Sequence, residues 1–74
     1  MPSLPSLSGR EVVRAFERDG WTVARQRGSH IIMTKTGEMA TLSVPERKEV
    51  ARGTLRSLIR ASGMTVDAFL ELTR

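Results

Sequence analysis

The 74-residue chain contains no cysteine and no tyrosine, only one histidine and three prolines, and no long apolar run. Without cysteine, disulfides and zinc–thiolate sites are excluded, so the fold rests on a hydrophobic core alone. No stretch approaches the roughly 18 apolar residues that a membrane span requires. The opening MPSLPSLSGR has neither a basic n-region nor an apolar h-region, so no membrane partner and a cytoplasmic location are expected. One histidine and eight scattered acids offer no metal-ligand spacing, and no Gly-rich phosphate loop precedes a helix. Neither a metal nor a nucleotide cofactor is expected. A Ser-His-Asp triad lacks an acid that the sequence assigns to the histidine.

What is present is a small, basic, folded domain. At 8.2 kDa there is room for one domain, and a chain this short buries only about 60% of the surface it exposes when unfolded. Apolar residues at 39% and charged residues at 27% exclude a disordered chain. Twelve basic against eight acidic residues give a net charge of +4, and ten of the twelve are arginine. Arginine offers a planar fork of donors suited to phosphate and to stacking on bases, which points to a polyanionic partner. Charge alone also fits a domain that is merely soluble.

Met1 to Leu7, with Pro2 and Pro5, cannot hold a regular helix and reads as a flexible lead-in to a single domain over residues 8–74. Ser8-Gly9-Arg10-Glu11 has the capping-box spacing, predicting a helix from Gly9 to Asp19 that buries Val12, Val13, Ala15 and Phe16. Arg10, Arg14 and Arg18 form a stripe on its other side. Trp21–Gln26 alternates as a strand, with Trp21, Val23 and Arg25 on one face. Arg27-Gly28 predicts a tight turn, and Ser29–Lys35 a second strand with His30, Ile32 and Thr34 opposite Ile31 and Met33. Thr36-Gly37-Glu38 predicts the next turn, and Met39–Val44 a third strand stopped by Pro45. Glu46–Arg52 is too polar for core. A second helix is expected from Gly53-Thr54 to Gly63, with Arg52, Arg56 and Arg60 as a second stripe, and a third from Val66 to Leu72 capped by Thr65. The order predicts an α+β fold with a three-stranded antiparallel meander under both longer helices.

His30 is the only side chain here whose ordinary pKa, about 6.5 for histidine, suits it to both take and give a proton near neutrality. It follows a Gly-Ser turn and is expected to be bracketed by Arg25, Arg27 and, across the meander, Lys35. A lone histidine is ordinarily structural or merely exposed, so spacing alone does not make it catalytic.

Gly20-Trp21, Arg27-Gly28-Ser29-His30, Val44-Pro45 and Gly53-Thr54-Leu55-Arg56-Ser57-Leu58-Ile59, in this order and at these separations, resemble the HicA family of toxin–antitoxin ribonucleases over about Ser8 to Leu72. The resemblance implies a fold like the double-stranded-RNA-binding domain, metal-independent cleavage of mRNA, and neutralisation by a HicB-type antitoxin. The family's catalytic histidine falls on His30. Many relatives carry a second histidine after the Val-Pro pair, whereas Pro45-Glu46-Arg47-Lys48 has none. This chain either does without it or draws phosphate charge from Arg47 or Lys48.

The chemistry agrees with the resemblance, because RNA carries its own nucleophile in the 2′-OH. An enzyme need only move that proton, stabilise the charged phosphate and assist the leaving oxygen. His30 is the expected acid or base, Arg25, Arg27 and Lys35 the expected phosphate partners, and Ser29 a candidate to orient a phosphate oxygen. The alternative is a non-catalytic RNA-binding module of the same fold, which would read A-form shape. The short turn before His30 and the lack of a lysine cluster at the second helix favour the enzyme. A third reading, an inactive protein-interaction domain, is separated from both by an RNA-cleavage assay.

Overall fold

Ser8 opens the first helix as its spacing requires. Its hydroxyl accepts from the Glu11 N–H at 3.2 Å, and the Glu11 carboxylate accepts from the Ser8 N–H at 2.9 Å, completing the capping box. The computed structural model describes residues 3–74. Helix α1 spans Gly9–Arg18 and is followed by strands β1 (Thr22–Arg27), β2 (His30–Thr34) and β3 (Leu42–Pro45), then helices α2 (Arg52–Ser62) and α3 (Val66–Leu72). The strands form one antiparallel sheet in the order β1-β2-β3, and the architecture is the expected α+β one.

Helices α1 and α2 pack on one face of this sheet, and α3 packs against both of them. Ile31 pairs with Val44 and Met33 with Leu42, and these four join Val12, Phe16, Leu55, Ile59 and Phe69 in the core cluster. Ile32 and Ser43 pair on the other face, outside that cluster. Phe16 meets Trp21 edge-on at 6.5 Å between ring centroids and Phe69 at 5.1 Å. The Trp21 indole N–H donates to Asp19 at 3.3 Å, so its polar end is satisfied as the ring is buried.

Three expectations need correction. The first concerns the lead-in: Met1 and Pro2 lie outside the described residues, but Leu4 and Leu7 are core residues and not a free tail. The Leu7 carbonyl accepts from the Val50 N–H at 2.7 Å, which ties this irregular segment to the chain beyond β3. The second concerns that later stretch, where Val50 is buried at 2% exposure among its charged neighbours. An isolated apolar residue in a charged run has no periodicity to reveal it. The third is the position of Trp21, which precedes the strand and faces inward as a core residue. The strands otherwise begin or end a few residues from their expected bounds, and Met39 is fully exposed in the β2–β3 loop.

Gly9 draws α1 against the loop after β3. Its N–H donates to the Arg47 carbonyl at 2.9 Å, and a Cβ there would overlap the Pro45 carbonyl oxygen and lie 3.0 Å from Glu46 Cα. Backbone on both sides cannot yield cheaply. Gly9→Ala is therefore expected to destabilise the protein by about 1–3 kcal/mol, despite alanine's better helix propensity. Thermal unfolding that shows an unchanged or raised Tm would contradict this.

The capping box also sets a pH dependence. The Ser8 backbone hydrogen bond, aided by the Ser8 hydroxyl and by Arg14, holds the Glu11 carboxyl below its ordinary pKa. A depressed carboxylate contributes stability that is present above the unfolded pKa and lost as pH falls through the folded one. The stability gap between wild type and Glu11→Gln should then narrow from pH 7 to about pH 3. Denaturant titrations at the two pH values check this, and a constant gap would refute it.

Candidate active site

The site begins with an irregularity in β1. Val23 pairs with Met33 on the helix-covered face, but Arg25, not Ala24, pairs with Ile32, so the strand advances two residues for one of its partner. This β-bulge shifts the alternation by one. Val23 and Arg25, expected on one face, lie on opposite faces, and Arg25 and Arg27 turn outward. Gly28 follows with φ +60, the position of a two-residue hairpin turn that favours glycine. The turn sets His30 directly across from Arg27.

Two cross-strand rows result on the open sheet face. One reads Arg27, His30, Pro45, and the next reads Arg25, Ile32, Ser43. His30 is exposed at the junction of two open depressions. The first, about 500 Å³, extends toward α2 and is lined by His30, Ser43, Pro45, Arg47, Glu49, Ala51 and Thr54. The second, about 590 Å³, lies over the sheet and is lined by Arg25, Arg27, His30, Ile32, Thr41 and Ser43. Both volumes fall within the range of about 300–1,000 Å³ usual for ligand sites.

Backbone hydrogen bonds hold the first depression in shape. The Glu46 N–H donates to the Ser29 carbonyl at 2.7 Å, joining the hairpin turn to the loop after β3. Glu46 itself is drawn away, its carboxylate 3.0 Å from Arg10 and accepting from the Gln26 amide at 3.1 Å. Glu49 remains on the rim and accepts from the Ser6 hydroxyl at 2.8 Å. The first turn of α2 has no acidic residue, and its N-cap Ala51 provides no side-chain acceptor. The positive end of that helix is left without a side-chain cap beside the depression, where Glu49 is the one carboxylate of the lining. Positive charge thus predominates around His30.

The structure gathers His30, Arg25, Arg27 and Arg47 and leaves three expected residues apart. Lys35 lies just beyond the far end of β2, about 16 Å from His30 along the chain, where it pairs with Asp19 at 3.4 Å. Ser29 contributes its carbonyl to the loop contact and lines neither depression. Lys48 is exposed on the loop and also lines neither. Thr41, Ser43, Glu49 and Thr54 were not legible as site residues, because strand register and a loop path bring them to His30. Among the described residues no three His, Asp or Glu side chains gather so as to hold a metal ion.

Comparison with known proteins bears on the family and the fold. A family profile described as the HicA toxin of bacterial toxin–antitoxin systems matches residues 9–64. The fold is similar to a chain solved in a toxin–antitoxin complex from Streptococcus pneumoniae, with a TM-score of 0.71 and 29% identity over 78% of this chain and 98% of that one. No curated protein matches the chain in sequence. The matched segment runs from the start of α1 to just beyond α2 and includes the bulge, the Gly28 turn, His30 and the Arg47 loop; the chain belongs to the HicA toxin family.

Proposed function

We propose that the protein is a metal-independent endoribonuclease that cuts mRNA in the cytoplasm, with His30 as its general acid or base, and that a HicB-type antitoxin neutralises it. The observation that carries this reading is the position of His30. It is shared by both depressions, with Arg27 across one strand pair and Arg47 on the opposite rim.

The chemistry follows from that placement. A phosphate seated in the first depression meets Arg47, the N-terminal turn of α2 and the Thr54 hydroxyl, all suited to an anion. With His30 as base, the imidazole takes the proton of the adjacent 2′-OH and the 2′-oxygen attacks phosphorus. The bond to the 5′-oxygen breaks, and that oxygen takes up a proton from solvent, which the open depression admits. The products are a 2′,3′-cyclic phosphate and a 5′-hydroxyl. Arginines around the phosphate stabilise the charge that builds in the transition state. With one imidazole present, one proton transfer is assisted by histidine and the other is not, so turnover should be slower than in a two-histidine relative. A basic site of this kind also suits occlusion by an acidic protein surface, and the solved neighbour comes from a toxin–antitoxin complex.

The test is purified protein on unstructured RNA, with and without EDTA, beside His30→Ala. Wild type should cut in both conditions, and the variant should be slower by about 10²–10⁴-fold. Because His30 is exposed, its loss should change stability by no more than about 0.5 kcal/mol. A folded His30→Ala that still cuts at the wild-type rate ends the catalytic assignment. RNA bound but never cut by wild type would favour the non-catalytic RNA-binding module.

Affinity should also depend on salt, with a slope of about −0.7 for each phosphate contacted on a single strand. Replacing Arg27 and Arg47 by glutamine should reduce the slope by about 1.4 in total. A slope unchanged by the double substitution would return both arginines to the solvated surface.

A further inference from the structure

Apart from His30 and Arg27 on its edge, the second depression is not used by the proton and phosphate chemistry, yet it adjoins it. Its floor is Ile32, only 7% exposed although it lies on the face that the helices do not cover and outside the core cluster. Arg25 stands beside it on one strand and Ser43 on the other, with Thr41 nearby. An apolar floor, a planar cation and two hydroxyls thus occupy one recess.

Those three chemistries match one kind of ligand. A phosphate has no use for an isoleucine floor, and an aliphatic group gains nothing from arginines and hydroxyls. A nucleobase has both requirements, an apolar face that stacks on aliphatic or guanidinium surfaces and a polar edge that hydrogen-bonds. The volume of about 590 Å³ accommodates one base with its ribose. His30 and Ser43 line both depressions, so a ligand can pass from one to the other without leaving the protein surface. The Ile32 row lies about 7 Å from the His30 row, a separation suited to consecutive parts of one nucleotide chain.

We propose that this depression is a nucleobase subsite, formed by Arg25, Ile32, Thr41 and Ser43, which holds the base next to the scissile phosphate and selects unpaired RNA by its identity. The inference rests on the ribonuclease reading for the word scissile. A base in a duplex cannot reach the subsite without being splayed from its stack, so double-stranded RNA is a poor substrate. Arg25 supplies a flat stacking surface and the Thr41 and Ser43 hydroxyls read the base edge.

The experiment has a cleavage arm and a binding arm. Short dye-labelled unstructured RNAs differ at one position beside the break, carrying each of the four bases or an abasic ribose. Wild type is assayed for cleavage, and His30→Ala is assayed for binding by anisotropy, alone and combined with Ser43→Ala, Thr41→Val or Arg25→Lys. The abasic RNA should bind at least about fivefold more weakly than the best base. Ser43→Ala or Thr41→Val should narrow the preference among bases by about threefold to tenfold. Arg25→Lys keeps the charge and should leave the salt slope unchanged while reducing the abasic penalty. Base-dependent binding with no cleavage by wild type would overturn the ribonuclease reading and leave the subsite standing. Cleavage and binding indifferent to the base, abasic RNA included, would overturn the subsite and leave the ribonuclease reading. Neither cleavage nor binding would overturn both.

Discussion

Phe16 is the contact on which the fold depends. The chain has three aromatic residues, and all of them meet there, Trp21 at 6.5 Å and Phe69 at 5.1 Å. They come from α1, from the residue before β1 and from α3, so a single ring fixes how three parts of the chain approach one another. A domain of this size has a total stability of only about 4–11 kcal/mol at the usual 0.05–0.15 kcal/mol per residue. Truncating a buried aromatic costs about 3–5 kcal/mol, a large share of that total. With no disulfide to compensate, the aromatic contact sets the frame on which the site is placed.

The frame does not by itself shape the first depression. Three backbone hydrogen bonds do, from Gly9 to Arg47, from Glu46 to Ser29 and from Val50 to Leu7. They lash the start of α1, the hairpin turn and the lead-in to one loop. The loop is nearly all charged, and a free chain of that composition would fluctuate. Buried Val50 and the close packing at Gly9 hold it, so Arg47 and Glu49 occupy fixed places although their side chains face solvent. Pre-ordering of this kind reduces the conformational cost of engaging a substrate.

The element order, the capping box at Ser8, the Thr65 cap and the core positions of both longer helices were legible because each rests on local spacing. The bulge at β1 was not. Strict alternation placed Val23 with Arg25, and only the pairing with β2 shows that Ala24 is the additional residue. The error has a functional consequence, since the bulge sends Arg25 and Arg27 to the face of His30. Lys35 shows the same limit from the other direction. It is close to His30 in sequence, but an extended strand carries it away, and Asp19 takes its charge. Leu4, Leu7 and Val50 escaped because single apolar residues in irregular or charged segments have no period to detect.

The distribution of charge follows from these placements. Among the described residues the ion pairs are Arg10 with Glu46, Lys35 with Asp19 and Arg74 with Glu71, and none of these six residues lines either depression beside His30. Three of the eight acids are spent on cations that lie away from the site, and Glu49 alone stays on the rim of the first depression. Glu46, the acid nearest in sequence to Arg47, is turned toward Arg10 and Gln26. Arg25, Arg27 and Arg47 therefore face the depressions with no carboxylate in ion-pair contact, and the uncapped N-terminal end of α2 adds to their field. Like charges held near one another oppose the compact state, so this arrangement lowers stability in exchange for attraction of polyanions. A stronger core could tolerate more such charge. In a chain of 74 residues with three aromatics the core is small, and the remaining cations are paired, spread along the helices or, in the case of Lys48, exposed on the loop after β3.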